Sequence, residues 1–210
     1  MSFKKTLLAA GLVAAATSAN ALPITGGFEF FASGTQVDTN ADTIFDAFDF
    51  SDIFTPADGI LDADSSSAAV NAPITGTFAS AFGVTTGVGS LFVKDISAGA
   101  PASNNPLVNL LIDNGLGLSG AVTFTATSAT MVDGSNPLDL AVNGYFEFIA
   151  DGSCTAADCA SYVASDATWY IASTGQNSIV AAPVSEPATL AMLGLGLAGL
   201  GFARRKQAKA

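Results

Sequence analysis

Carboxylates are the side chains of this sequence that are best placed to do chemistry. The chain of 210 residues has 18 acidic residues and no histidine. Histidine is the usual base of Ser-His-Asp and Cys-His nucleophile systems, and it is the commonest ligand of zinc and copper. Its absence excludes those nucleophile systems and most sites for those metals. What remains is cation binding by several carboxylates, or hydrolysis by a pair of them.

Aspartates are concentrated in one segment, which holds eight of them: Asp38, Asp42, Asp46, Asp49, Asp52, Asp58, Asp62 and Asp64. The segment opens with the D-x-[DN]-x-D pattern of a calcium loop, and Asp46 and Asp49 fall at its ninth and twelfth positions. Thr43 stands where such a loop needs glycine, and Asp49 replaces a long bidentate glutamate. We therefore expect a solvated acidic edge that binds calcium weakly, and no other cofactor. A single specific calcium site is the alternative. The patch consists of Asp38, Asn40, Asp42, Asp46 and Asp49.

A hydrolase without histidine would need two carboxylates whose environments separate their pKa values. Glu29 and Glu147 are the only glutamates between the two end segments of the chain, and both lie in sequences that alternate like strands. Nothing in their spacing brings them into one cleft. A carboxylate-dependent glycoside hydrolase is therefore the least favoured alternative, and no catalytic residue is assigned.

Aromatic side chains offer a second kind of site, because sugar-binding surfaces place aromatic faces beside polar groups. Four residues are available for this role: Tyr145, Tyr162, Trp169 and Tyr170. On strands, such residues also serve as core or as cross-strand pairs. Both interpretations stay open, and a carbohydrate-binding module is the main alternative to a protein without a defined ligand site.

The charge of the chain is very unevenly distributed. Lys94 is the only basic residue between residues 22 and 185, and 17 acidic residues lie in the same range, which gives it a formal charge near −16. Such a domain repels phosphate backbones, so the charge argues against nucleic-acid binding and we expect no nucleic-acid partner. Divalent cations and cationic polymers are compatible partners.

The sequence predicts that the candidate carboxylates and aromatic residues lie on or between β-strands. Apolar and polar residues alternate most clearly over 138–148, where Leu140, Val142 and Phe146 oppose Asn143 and Glu147. Similar alternation predicts strands over 74–84 and 116–127, with Leu116 facing inward. Weaker strands are predicted at 24–33, 43–50, 90–96, 107–112, 162–172 and 177–182. Turn residues such as Asp113-Asn114-Gly115 separate them. We therefore predict an all-β domain over 22–183, a single antiparallel β-sandwich of jelly-roll type.

Residues 1–21 have the features of a secretory signal peptide. Lys4 and Lys5 precede the short apolar run 7–16, and Ala19-Asn20-Ala21 fits the small-x-small cleavage rule. We expect cleavage after Ala21. In an exported chain, the two cysteines Cys154 and Cys159 are expected to form a disulfide. Two thiols cannot complete a zinc site, and a redox pair is more often spaced Cys-x-x-Cys.

The C-terminal region is an apolar segment with a basic end. Residues 188–203 are rich in Leu and Gly, and Arg204, Arg205 and Lys206 follow. This pattern predicts a single transmembrane helix over 188–203, and the positive-inside rule places its basic end in the cytoplasm.

The same region resembles the PEP-CTERM sorting signal. The resemblance is carried by Glu186-Pro187, the Leu/Gly-rich run and Arg204-Arg205, and Ser185 departs from the family by replacing its usual first proline. The resemblance covers 184–210 and implies an exported protein of Gram-negative bacteria. An exosortase-type enzyme would process it, with transient anchoring in the inner membrane.

The predictions combine into an exported, non-enzymatic surface or extracellular-matrix protein. The resemblance implies association with exopolysaccharide and biofilm, and delivery to the cell surface or the extracellular matrix. An unprocessed C-terminal membrane anchor is the alternative to sorting.

Overall fold

The structure is a computed structural model that describes residues 22–51, 65–132, 139–157 and 159–182. The predicted signal peptide, with Ala19 and Ala21, and the predicted tail, with Ser185 through Arg205, lie outside these residues. So do Asp52, Asp58, Asp62 and Asp64. No helix within the described ranges is long and apolar enough to cross a membrane.

The described residues form thirteen strands and one short helix. In chain order these are β1 (Leu22–Pro23), β2 (Gly27–Phe31), β3 (Gly34–Val37), β4 (Ala47–Phe50), β5 (Ser65–Ile74), α1 (Gly76–Ser80), β6 (Gly87–Lys94), β7 (Ile96–Ser97), β8 (Val108–Asp113), β9 (Ser119–Met131), β10 (Leu140–Ala150), β11 (Tyr162–Val163), β12 (Ser165–Ile171) and β13 (Gln176–Ala181). The all-β prediction is confirmed.

Eight of these strands close into an antiparallel barrel. Its order around the barrel is β2-β5-β6-β8-β9-β10-β12-β13, so each barrel strand pairs with the next one along the chain. The last strand closes on the first, with Ile179 opposite Phe28. The expected two-sheet sandwich is therefore replaced by a closed barrel. Both architectures use short strands with alternating faces. They differ in strand pairing, since a jelly roll has Greek-key connections, whereas here each barrel strand pairs with the next and β13 closes on β2. No local pattern in the sequence encodes these pairings.

The barrel interior is a packed aromatic core. Trp169 is fully buried, and its indole Nε1 donates a hydrogen bond of 3.1 Å to Asn177 Oδ1. The rings of Phe30, Phe50 and Phe124 lie 5.8–6.1 Å from the Trp169 ring. An eight-stranded barrel is just wide enough for side chains to fill. In this one, aromatic rings occupy the middle of the barrel.

The two ends of the barrel are covered by different elements. At the distal end, where β2 ends, β3, β4 and β7 form a three-stranded sheet. Asp95 Oδ1 accepts the Phe50 N–H at 2.8 Å, and Ser66 Oγ donates to the Phe50 carbonyl at 2.9 Å. These buried hydrogen bonds fix Phe50 over the Trp169 ring.

At the terminal end, where the described chain begins at Leu22 and ends at Ala182, α1 and the turn after it cover the core. Phe78 packs against Phe146 at 5.0 Å, and Phe82 packs against Tyr162 at 4.9 Å. Residues 74–84, predicted as a strand, contain α1 instead. The error has a clear cause, because Phe78 and Phe82 are four residues apart and share a face in either a strand or a helix.

The sequence prediction also missed β5. Its residues are mostly Ser and Ala with a proline at 73, a composition with low strand propensity. Its buried positions Ser66, Ala68 and Val70 carry small side chains. Small residues on one wall leave volume for the aromatic rings that fill the barrel.

Candidate functional sites: acidic loop, tyrosine groove and sorting tail

The acidic loop (residues 38–46) joins β3 to β4 and is organised around Asp38. The Asp38 Oδ1 atom accepts the N–H groups of Asn40 at 3.2 Å and Asp42 at 3.3 Å, and its Oδ2 atom accepts the Thr43 N–H at 2.7 Å. Partial desolvation raises the pKa of Asp38, but the N–H groups of Thr43, Asn40, Ala41 and Asp42 together lower that pKa below its ordinary value of 3.8. Asp38 is therefore ionised at neutral pH.

The other polar side chains of the loop also turn toward the loop backbone. Asn40 Oδ1 accepts the Asp42 N–H at 3.1 Å, and Asp42 Oδ1 accepts the Ile44 N–H at 2.9 Å. Asp46 accepts both the N–H and the hydroxyl of Thr39, at 2.8 and 2.6 Å. In the described ranges, no three acidic or cysteine side chains come together as a group that could hold a metal ion.

Asp49, the last residue of the predicted calcium patch, is not part of a solvated edge. It lies on β4 opposite Thr35 and is only 4% exposed. Ala41 and Thr43 adopt positive φ angles of 61° and 74°, although neither is glycine. Thr43 thus takes the left-handed conformation that a calcium loop requires at this position, despite its branched side chain.

The four candidate aromatic residues occupy different environments. Trp169 belongs to the core, and Tyr162 is partly buried against Phe82 and Phe148. Tyr145 is half-buried on β10. Tyr170 is 53% exposed on the outer face of β12. Of the four, Tyr170 is therefore the one whose ring is most available to a ligand.

Tyr170 lines a groove of about 290 Å³, here called the tyrosine groove. Its polar lining includes Asp139, Gln176 and Ser178, and Ser178 lies directly opposite Tyr170 on the neighbouring strand. Gln176 Nε2 donates to Glu29 Oε2 at 3.1 Å, and Asp139 Oδ1 accepts the Ser173 N–H at 2.8 Å. An aromatic face beside a carboxylate and an amide can stack against a sugar ring and hydrogen bond to its hydroxyls.

Sequence reasoning found Tyr170 but missed its polar neighbours. Gln176 and Ser178 lie on β13, and Asp139 precedes β10, so they reach Tyr170 only through strand pairing. The alternation of β12 signalled which side chains face outward. No signal within the sequence identified β10 and β13 as the strands that pair with β12.

Glu29 and Glu147 are not brought together. Glu29 pairs with Ser178, Ser178 with Tyr170, and Tyr170 with Ala141, and Glu147 lies six residues further along β10. Strand spacing and rise place the two carboxylates on the order of 20 Å apart. Catalytic pairs of glycosidases are about 5–9.5 Å apart. These two glutamates therefore cannot act on one glycosidic bond.

The structure contains a disulfide between Cys154 and Cys159. The loop that it closes packs on the turn between β8 and β9, where the N–H groups of Thr155 and Ala156 donate to the Gly117 carbonyl at 2.8 and 2.9 Å. Cys154 Sγ accepts the Ser119 N–H at 3.4 Å. The disulfide therefore supports the β8–β9 hairpin as well as its own loop.

An all-β domain followed by an apolar segment and a basic end is the arrangement of a surface protein with a C-terminal sorting signal. Comparison with known families identifies the signal, because residues 183–206 match the PEP-CTERM protein-sorting motif. The match covers Ser185, Glu186, Pro187, Arg204 and Arg205, and the predicted resemblance is confirmed. No curated protein and no solved structure is significantly similar to the chain. The motif implies an exported protein that an exosortase-type enzyme processes and sorts to the cell surface.

Proposed function

We propose that this chain is a non-enzymatic surface or extracellular-matrix protein that associates with exopolysaccharide in a biofilm. The observation that carries the proposal is the sorting motif at residues 183–206. Two features of the barrel support it. Aromatic side chains pack the middle of its interior, and its two glutamates are too far apart to form a catalytic pair.

The charge of the domain narrows the kind of polysaccharide. A formal charge near −16 over residues 22–185 repels uronate-rich or phosphorylated polymers at low salt. Neutral and amine-bearing polysaccharides are therefore the favoured partners. Any calcium binding is weak and spread over the acidic loop. Isothermal calorimetry should detect no stoichiometric micromolar site, and such a site would overturn this part of the proposal.

The sorting step can be tested with intact-mass analysis of the exported protein. In a host with an exosortase-type system, the full chain should lose residues 1–21 and a C-terminal piece near Glu186-Pro187, and it should reach the cell surface. A chain without residues 184–210 should be exported but should fail to be sorted. The proposed route would be rejected if both chains reached the same destination and the full chain kept its C-terminal residues.

A carbohydrate-binding module is the second candidate, and the tyrosine groove favours it. The exposed Tyr170 ring beside Asp139 and Gln176 has the composition of a sugar subsite. If it binds glycan, Tyr170→Ala should weaken retention by a neutral exopolysaccharide about fivefold, since loss of one aromatic contact costs about 1 kcal/mol.

Tyr145→Ala is the matched control, because Tyr145 is a half-buried tyrosine on β10 outside this groove. Affinity electrophoresis of both variants on the same polysaccharide would measure the difference. Equal retention of the two variants would reject the groove as a glycan site and leave the matrix role without a defined subsite.

A glycoside hydrolase remains the least supported alternative. The chain should release no reducing sugar from matrix glycans, and Glu29→Gln and Glu147→Gln should not change that result. Turnover that disappears in either variant would establish an enzyme.

A further inference from the structure

An exposed apolar surface lies at the terminal end of the barrel. Leu111 on β8 and Ile149 on β10 both pair with Ala121 of β9, so the three side chains form a row across adjacent strands. Leu111 is 49% exposed and Ile149 is 53% exposed. We call these three residues and Leu116 the apolar rim.

Leu116 is held outside the barrel by a well-ordered turn. It was predicted to face inward, but it sits at the tip of the β8–β9 hairpin and is 86% exposed. Asn114 Oδ1 accepts the Leu116 N–H at 2.8 Å and the Leu118 N–H at 3.1 Å, and Asn114 Nδ2 donates to the Ala81 carbonyl at 3.0 Å. With the disulfide loop bonded to Gly117, the tip is fixed on both sides. Because the backbone of this tip is already ordered, covering Leu116 with a partner costs little backbone conformational freedom.

The described chain begins and ends at this same end of the barrel. The Leu22 N–H donates to the Ser161 carbonyl at 2.7 Å, and the Ala182 N–H donates to the Asp166 carbonyl at 2.6 Å. The uncharged segment that begins at Ala188 follows Ala182 by six residues. An extended chain of that length spans at most about 20 Å. A membrane that holds the apolar segment would therefore start within about 20 Å, along the chain, of Ala182 at the terminal end.

We propose that the apolar rim rests in the headgroup region of the lipid bilayer while the tail is still attached. This proposal rests on the predicted membrane anchoring of the tail. The rim fits a lipid surface because it presents separate aliphatic side chains along a barrel edge and a protruding tip. Four side chains give weak binding alone, and attachment to the membrane raises their effective concentration. Loss of the tail would then free the barrel.

The carboxylates beside the apolar rim indicate which lipid headgroups it can contact. Asp113 begins the hairpin turn, and Asp151 accepts hydrogen bonds from the hydroxyls of Ser119 at 2.7 Å and Ser153 at 2.6 Å. Those hydroxyl groups and the Ser153 N–H lower the pKa of Asp151, so it is ionised at neutral pH. Two carboxylates next to the rim disfavour anionic headgroups. Contact should therefore be strongest on zwitterionic lipid.

Tryptophan quenching can test the proposal in the full-length chain. Leu116→Trp and Met131→Trp place one added indole at the terminal end and one at the distal end, both at exposed apolar positions. Each variant is added to phosphatidylcholine vesicles with and without brominated acyl chains, and the signal of buried Trp169 is subtracted with the unmodified chain. Brominated lipid should reduce the Leu116→Trp signal about twofold and leave the Met131→Trp signal unchanged, because interfacial side chains reach the acyl boundary.

The outcomes separate this proposal from the one it rests on. A chain that does not float with the vesicles overturns both the anchor and the rim contact. A chain that floats but shows equal quenching at the two positions, or none at either, overturns the rim contact alone. Ile149→Trp provides a second rim position, and it should be quenched in parallel with Leu116→Trp.

Discussion

Backbone conformation in the acidic loop shows how single residues depart from their preferred state. Ala41 and Thr43 both adopt left-handed backbone angles, which cost an ordinary L-residue about 1–2 kcal/mol. Several side-chain oxygens hold the loop in this shape by accepting its N–H groups. The loop is thus stabilised by its carboxylates and strained by its alanine and threonine.

The strain predicts a stabilising substitution. Ala41→Gly should raise the free energy of unfolding by about 0.5–1 kcal/mol, because glycine adopts positive φ without strain and this gain exceeds its greater freedom in the unfolded chain. Ala129→Gly, the same change on strand β9, should lower it by a similar amount. Urea denaturation would measure both variants. A lower stability of Ala41→Gly would show that the loop is not strained at this residue.

The carboxylate of Asp38 predicts a pH dependence. Its folded-state pKa lies below the ordinary value of 3.8, so the ionised form stabilises the loop. This contribution is complete above the ordinary pKa and is lost as the pH falls through the lower folded-state pKa. The acid transition of the Thr43 amide resonance should therefore lie at a lower pH than that of an unperturbed aspartate.

Asp38→Asn is the control for that titration. It removes the ionisable group and should abolish the acid transition of the Thr43 amide. An unchanged transition in this variant would assign the titration to another carboxylate.

The hydrogen bond inside the barrel makes a further prediction at the residue scale. Asn177→Ala removes the acceptor of the Trp169 indole N–H and should lower the free energy of unfolding by about 2–3 kcal/mol, through a buried unpaired donor and a small cavity. Asn143→Ala, at an exposed position of β10, should change it by less than about 0.5 kcal/mol. Similar urea midpoints for the two variants would contradict the buried role of Asn177.

At the scale of elements, the hairpins were the most predictable part of the fold. Strand β10 matches its alternating pattern, with Leu140, Val142 and Phe146 inside and Asn143 and Glu147 outside. In the β8–β9 hairpin the alternating pattern wrongly predicted that Leu116 faces inward, because the turn extends past Gly115. Asn114 fixes that turn through hydrogen bonds with Leu118 and Ala81. Local alternation specifies a face, and it does not specify where a turn ends.

The disulfide loop gives the prediction for an element. Replacing both Cys154 and Cys159 with serine should lower the free energy of unfolding by about 2 kcal/mol, because the closed loop is short. Hydrogen exchange should rise at Leu118 and Ser119 of the supported hairpin and stay unchanged at β13. Thiol labelling of the exported protein should find no free cysteine. Uniform changes in exchange across the barrel would show that the stabilising effect of the Cys154–Cys159 disulfide is not local.

At the scale of the molecule, composition and turns were sufficient for the all-β class but not for closure of the barrel. The pairing of β13 with β2 joins segments about 150 residues apart, and no local pattern reports such a contact. The tyrosine groove was missed for the same reason, since its polar residues meet Tyr170 only across strands. The sorting motif was predictable because its features are contiguous in sequence.

Closure predicts where the chain can be shortened. A chain that ends at Pro183 should fold, because it keeps every barrel strand. A chain that ends at Gly175 lacks β13, exposes the edges of β2 and β12, and should be unfolded or aggregated. Far-ultraviolet circular dichroism and thermal melting would compare the two. Cooperative melting of the shorter chain would show that the barrel does not need its last strand.

The position of β13 also sets the timing of maturation. During export the N-terminal strands leave the translocation channel first, and residues 176–181 follow just before the sorting motif. The seam of the barrel cannot be completed until this late segment has emerged. Folding of the domain and arrival of its processing signal therefore fall at the same moment of secretion. A chain that stalls before this point would leave the sheet open and would not yet have exposed its sorting motif to the processing enzyme.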